Sequence, residues 1–216
     1  LYAIIGLHPL HVFDEEFDVS AYNQLINNKV VAIGETGLDF FHPTFERPGA
    51  VQVSLDEVIA KQKEVFLNHL ALAKENNLPL MLHGRNGIEG RNVYEEMLKI
   101  LKEEKIERAV FHCYAGDLAT AQIIIKGGYL IGIDGPVTFK KKAEELQKIV
   151  QEIPLDKILI ETDSCGPYLT PEPHRGQRNE PIYVELIAQK IAELKNLTKE
   201  EVVEATWNNA KNLFKI

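Results

Sequence analysis

The sequence has few cysteines and no long apolar run. Two cysteines, Cys113 and Cys165, among 216 residues do not suggest the disulfide framework of a small secreted protein. No apolar run approaches the roughly 18 residues that a membrane-crossing helix needs. We therefore expect a cytoplasmic protein with no membrane partner.

Positive charge is also scarce, with 24 Lys and Arg against 32 Asp and Glu and a net charge of −8. This balance argues against a broad basic surface that wraps nucleic acid. It leaves a nucleic-acid substrate open, because bound dications would add positive charge at the site itself. The remaining composition is that of an ordinary globular protein. We expect one domain over residues 1–216, and no obligate protein partner is evident.

Short apolar runs alternate with segments of helical periodicity along the whole chain. The runs predict strands at residues 2–6, 30–34, 80–83, 108–112, 129–133 and 157–161. The periodic segments predict helices at residues 55–76, 92–104, 117–126, 140–153, 181–194 and 198–214. Residues 41–55 contain two prolines and no helical period, so we predict a long loop there.

Strict alternation of strand and helix predicts an α/β protein with a parallel sheet. Polar strand ends on the second, third, fourth and sixth strands favour a ring, so we predict a TIM-type (β/α) barrel. An open sheet would gather its site at one switch point instead. Six units fall short of the usual eight in about 250 residues. We expect the first one or two βα units to precede Leu1.

Four chemically active side chains close four of the predicted strands: Glu35, His83, His112 and Asp163. A polar group directly after a buried strand is costly unless something pairs with it. The ends of parallel strands meet at one edge, so we expect these groups to converge. Two carboxylates and two imidazoles suit a divalent metal such as Zn, Mn, Mg or Co. The alternative is a set of strand-end carboxylates and satisfied core histidines.

Four other residues are weaker candidates for the same site. Arg85 lies two residues past His83, so it projects to the same side and either clamps a phosphate or forms a surface salt bridge. His8 follows the first strand and is a candidate contact for substrate phosphate. Asp39 and Asn179 are candidates for orienting the metal ligands. Cys113 should point away from the site if His112 points in, because strand neighbours alternate.

Several strings resemble the TatD family of metal-dependent hydrolases. They are AIIGLHP at 3–9, AIGETGLDF at 32–40, LPLMLHGR at 78–85, FHCYAG at 111–116, VTFK at 137–140, ILIETDS at 158–164, RNEP at 178–181 and NLF at 212–214. They cover the whole chain in order.

The resemblance implies two divalent metal ions held by the four strand-end residues, with Glu35 bridging them or close to both. It implies that Asp163 binds metal and takes a proton from the attacking water. The implied activity is removal of nucleotides from DNA, generally as a 3′ exonuclease. The implied substrate is DNA ends or single-stranded DNA.

Three features differ from the family pattern. The opening strand that ends in His-x-His is absent, and His8 and His11 have His-x-x-His spacing instead. The loop after Asp163 and the loop after GLDFF at 37–41 are both longer than the pattern. Two other functions stay open: a metallohydrolase of another ester, including an aminoacyl-tRNA bond, and a non-catalytic fragment or degenerate barrel.

Overall fold

The computed structural model describes residues 1–41, 54–87, 90–164 and 166–216. They form two compact units, Leu1–Ala109 and Val110–Ile216. All six predicted strands are present, and the pairings within each unit are parallel. Most of the loop predicted at 41–55 lies outside the described residues. The single domain over residues 1–216 stays a prediction.

The first unit alternates strands and helices in the predicted way. Its elements are β1 (Ala3–Ile5), α1 (Val19–Leu25), β2 (Val30–Asp39), α2 (Leu55–Glu75), β3 (Leu80–Arg85) and α3 (Val93–Glu103). β2 pairs in parallel with both β1 and β3. The short helix α1 was not predicted, because it buries no residue and so carries no amphipathic pattern.

β2 and β3 both run further than the apolar runs predict. After a register shift between Ile33 and Thr36, the ladder continues from Gly37 opposite His83 to Asp39 opposite Arg85. Backbone pairing extends these strands beyond the point where the apolar run stops. Glu35 therefore lies in the middle of β2, and His83 lies near the carboxyl end of β3.

The second unit continues the alternation. β4 (Ala109–Phe111) begins at the last residue of the first unit and is followed by α4 (Leu118–Lys126), β5 (Leu130–Ile133), α5 (Glu144–Glu152), β6 (Ile158–Ile160), α6 (Val184–Lys195) and α7 (Lys199–Phe214). β5 pairs in parallel with β4 and β6, and Ile133 lies opposite Ile160. The loops that follow β5 and β6 therefore leave from the same edge.

Local capping signals mark the helix starts. Asp117 caps α4 by accepting the Thr120 N–H at 2.7 Å. Thr198 and Glu201 form a capping box at the start of α7. α5 begins at Glu144 and not at residue 140, so Lys140, Lys141 and Lys142 precede it.

Each unit has its own apolar core of strand and helix residues. In the first unit Ile33, Leu80 and Phe66 are fully buried, and in the second Ile131 and Ile187 are. No helix in the described ranges combines the length and the hydrophobicity that crossing a membrane requires. The cytoplasmic location stays a prediction.

Candidate metal centre

Three side chains of the first unit bring their ligand atoms to one point. His83 Nδ1 lies 3.0 Å from Glu35 Oε1 and 3.2 Å from His8 Nε2. His8 Nε2 lies 3.7 Å from Glu35 Oε1. All three atoms lie within 4.8 Å of one another, which makes the group a candidate metal site. It arises because His8 follows β1, Glu35 lies in β2 and His83 in β3, which are neighbouring parallel strands.

Asp39 fixes the orientation of the His83 ring. Its Oδ2 lies 2.8 Å from His83 Nε2, and its Oδ1 accepts the Phe41 N–H at 2.8 Å. The Asp39 side chain is fully buried. When the Nε2–H group of His83 donates a hydrogen bond to Asp39, His83 Nδ1 faces Glu35 and His8. This is the arrangement of a carboxylate, a histidine and a metal in many metalloproteins.

The electrostatics of this cluster favour a cation. Burial lowers the pKa of His83, but the hydrogen bonds to Asp39 and Glu35 outweigh it, so the pKa lies above its ordinary value. The Asp39 and Glu35 carboxylates thus stabilise positive charge on the His83 ring. One carboxylate oxygen and two imidazole nitrogens are a donor set that suits a divalent metal, so the residues fit such an ion.

The second unit has a similar pairing around His112. His112 Nδ1 lies 2.7 Å from Glu161 Oε2, and His112 Nε2 lies 3.9 Å from Asp163 Oδ1. The other oxygen of Glu161 accepts the Cys113 N–H at 2.6 Å. A Cβ at Gly132 would collide with the Glu161 carboxylate, so a larger residue there would displace that carboxylate. Glu161 thus holds one ring nitrogen, and the other is directed toward Asp163.

Cys113 lies in a polar environment, so the expectation that it points away from the site is wrong. Its Sγ donates to Asp134 Oδ2 at 3.0 Å. The strand alternation does not reach Cys113, because β4 ends at Phe111 and Cys113 has a φ of 44°. Burial raises the pKa of the Cys113 thiol and raises that of Asp134 to about 7. The thiol therefore stays protonated near neutral pH and is a poor nucleophile.

Two further predicted site residues, Arg85 and Asn179, have defined contacts. The Arg85 guanidinium stacks over the Phe41 ring, 4.2 Å from its centroid. Asn179 is buried, and its Nδ2 donates to the carbonyl of Thr162, the residue before Asp163. Within the described ranges its Oδ1 has no hydrogen-bond partner.

The structure brings Glu35 and His83 together with His8, and places Asp163 beside His112. Each pair lies within one unit, and the convergence of all four predicted ligands on one point stays a prediction. Sequence reasoning missed Glu161 and Asp134 and gave His8 a different role. Asp134 follows β5 directly, so the rule that found the other strand-end residues would have found it too.

Comparison with known proteins identifies the family of the chain. The family profile described as TatD related DNase matches residues 1–215. The uncharacterized metal-dependent hydrolase YabD of Bacillus subtilis is 44% identical, with 100% of this chain and 78% of that protein covered. The uncharacterized metal-dependent hydrolase YcfH of Escherichia coli K12 is 36% identical, with 98% and 72% covered.

A solved structure of a relative has the same fold. The crystal structure of YjjV, a TatD homologue from Escherichia coli K12, superposes with a TM-score of 0.82 at 28% identity, covering 100% of this chain and 77% of that one. The fold class is therefore the predicted one, α/β of TIM-barrel type with six parallel strands. Within that class, the chain belongs to the TatD-related family of metal-dependent hydrolases.

Proposed function

We propose that this protein hydrolyses phosphodiester bonds of DNA, as a 3′ exodeoxyribonuclease that acts on DNA ends or single strands. The observation that carries the proposal is the convergence of His8 Nε2, Glu35 Oε1 and His83 Nδ1 within 4.8 Å of one another. The family description and the names of the relatives support this class of reaction.

Two divalent ions, of Zn, Mn, Mg or Co, are part of this proposal. Glu35, His83, His112 and Asp163 are the proposed ligands, and the geometry adds His8 to them. Bound ions of this kind supply Lewis acidity, which makes a water more acidic and offsets charge on a phosphoryl oxygen.

The residues around the ligands have separate roles. Asp39 and Glu161 each hold one ring nitrogen of a histidine, so that the other nitrogen is directed at a carboxylate. The Asp163 side chain is 46% exposed, so water reaches it. We propose that Asp163 accepts the proton of the attacking water.

Two residues are proposed to bind the substrate. The Arg85 guanidinium, which lies over the Phe41 ring, carries a fork of N–H donors that suits a phosphate. His8 remains a candidate phosphate contact as well as a candidate ligand.

The test combines metal analysis with a cleavage assay. Elemental analysis of purified protein should give close to two divalent ions per chain, and the Glu35→Gln variant should hold fewer. With a single-stranded oligonucleotide labelled at its 5′ end, a ladder of successively shorter labelled products would show 3′ exonuclease polarity. Glu35→Gln should lower the rate on the order of 100-fold or more. Glu16→Gln, an exposed carboxylate of the same unit, is the matched control.

The outcomes separate the parts of the proposal. Normal cleavage by Glu35→Gln would show that the ligand assignment is wrong. Hydrolysis of a carboxyl ester or an aminoacyl-tRNA without cleavage of DNA would leave the metal assignment standing and replace the substrate.

A further inference from the structure

Two loops of the second unit carry exposed cations and an exposed aromatic ring, and one of them follows Asp163 in the chain. Residues 138–142 follow β5, and residues 166–180 follow β6. Together they hold five cations and two carboxylates, in a chain whose net charge is −8. We call this the strand-end cationic surface and define it by Lys140, Lys141, Lys142, Tyr168, Arg175 and Arg178.

Specific contacts join the two loops into one surface. The Glu172 N–H donates to Thr138 Oγ1 at 2.8 Å. A Cβ at Gly135 would collide with the Leu169 carbonyl oxygen, so the two backbones touch where glycine leaves room. The Arg175 guanidinium lies 4.0 Å from the centroid of the Phe139 ring. The loops therefore hold the side chains that they carry in a fixed relation to one another.

The cations of this surface are available to a ligand. All five are exposed. Within the described ranges, no ion pair joins Lys140, Lys141, Lys142 or Arg178 to a carboxylate. The Arg175 guanidinium lies over the Phe139 ring, and a guanidinium in such a contact can still donate N–H groups to an acceptor such as a phosphate.

Tyr168 adds an aromatic face to the surface. Its side chain is 85% exposed, and it lies five residues after Asp163 in the same loop. An exposed ring in a loop that also carries Arg175 and Arg178 suits stacking on an unpaired base, since stacking on an aromatic ring is tolerant of sequence. A base-paired duplex offers no unpaired base to stack.

We propose that the strand-end cationic surface binds a single strand of DNA, with its cations on the phosphates and Tyr168 stacked on a base. This inference rests on the proposed function, because it takes the phosphodiester substrate from there. β5 and β6 end at the same edge, so a strand on these loops lies at the edge that carries Asp163. The acidic remainder of the chain disfavours a long duplex laid across it.

The test measures binding apart from hydrolysis. We would record the fluorescence anisotropy of a labelled single-stranded oligonucleotide of about 10 nucleotides, in EDTA and at several salt concentrations. Tyr168→Ser should weaken binding about tenfold and leave the salt dependence unchanged, because it removes stacking and no charge. Lys140→Gln with Lys141→Gln should lower the slope of log affinity against log salt by about 1.4.

The matched control is Lys126→Gln with Lys148→Gln. These lysines are exposed in the same unit, on α4 and α5, and their loss removes the same charge. The control should keep both the affinity and the salt slope. The inference would be overturned if Tyr168→Ser and the double variant Lys140→Gln with Lys141→Gln bound the oligonucleotide as tightly as the control does. This would hold even if the protein cleaves DNA. If the variants bind as predicted but the protein does not cleave DNA, the assignment of the surface stands and the proposed function is overturned.

Discussion

Glu161 Oε2 lies 2.7 Å from His112 Nδ1, and this contact directs the other nitrogen of the ring toward Asp163. His83 has the same relation to Asp39, at 2.8 Å. Each histidine thus has one carboxylate that sets its ring orientation, and its other nitrogen faces a second carboxylate. Such partners tune metal affinity without touching the metal.

Glu161→Gln should weaken divalent metal binding by about 10–100-fold, because the histidine loses the charge that orients it. Isothermal titration with Mn²⁺ or Zn²⁺ measures the affinity, and circular dichroism checks the fold. Glu152→Gln, at the exposed carboxyl end of α5, removes the same charge and should leave the affinity unchanged. An unaltered affinity in Glu161→Gln would mean that His112 does not bind metal.

Asn179→Ala should slow hydrolysis as well as destabilise the protein, because Asn179 holds the carbonyl before Asp163. Asp163 has a φ of 46°, a left-handed conformation that the surrounding structure must maintain. Loss of the buried hydrogen bond should cost about 1–3 kcal/mol, measured by urea unfolding.

Asn209→Ala is the control for this experiment. Asn209 also donates from its Nδ2 in the same unit, to the carbonyls of Leu155 and Ile158. Its loss should destabilise the protein by a similar amount and leave the rate unchanged at a temperature where both variants are folded. Equal rates for the two variants would show that Asn179 is purely structural.

The stability of the protein should fall as the pH drops from about 6.5 towards 4, partly through His69. The His69 ring donates from Nδ1 to the Val65 carbonyl at 2.8 Å and accepts the Leu7 N–H on Nε2 at 2.9 Å. This pattern needs the neutral imidazole, and burial lowers the pKa from 6.5 to about 4. Between those two values the unfolded chain binds more protons, so protonation favours unfolding.

Through His69 alone, the free energy of unfolding should fall by about 2 kcal/mol between pH 8 and pH 5. His69→Gln should remove that part of the pH dependence, since an amide has no proton to gain. Urea unfolding of both proteins at the two pH values measures it. The same pH dependence in the variant and in the wild type would refute the assignment to His69.

Thr198→Ala should lower the free energy of unfolding by about 1 kcal/mol and leave the chemistry unchanged. Thr198 Oγ1 accepts the Glu201 N–H at 3.2 Å, and Glu201 Oε2 accepts the Thr198 N–H at 2.8 Å. Ser54→Ala in the matching capping box of α2 should behave alike. Thermal unfolding measures the loss, and a change in metal content would contradict the purely structural role.

Local patterns predicted much of the fold. The apolar runs located all six strands, because burial of a short β-rich segment is written in neighbouring residues. The periodic segments located the starts of α4 and α7 to within one residue for the same reason. The helix α1 was not predicted, because no apolar stripe marks it.

The tertiary structure decided which side chains meet. His8 joins Glu35 and His83 only because β1, β2 and β3 are parallel neighbours in a particular register. The sequence marks Glu161 and Asp163 equally as carboxylates near the end of β6. The turn at Asp163, with its left-handed φ, leaves Glu161 bonded to His112 and Asp163 open to solvent.

By itself, the sequence determined the alternation of strands and helices, and it placed polar groups at the strand ends. These follow from local burial and periodicity. The strand register, the pairing of each histidine with its carboxylate and the joining of the two cationic loops depend on residues far apart in the chain. Only the packed structure brings those residues within bonding distance.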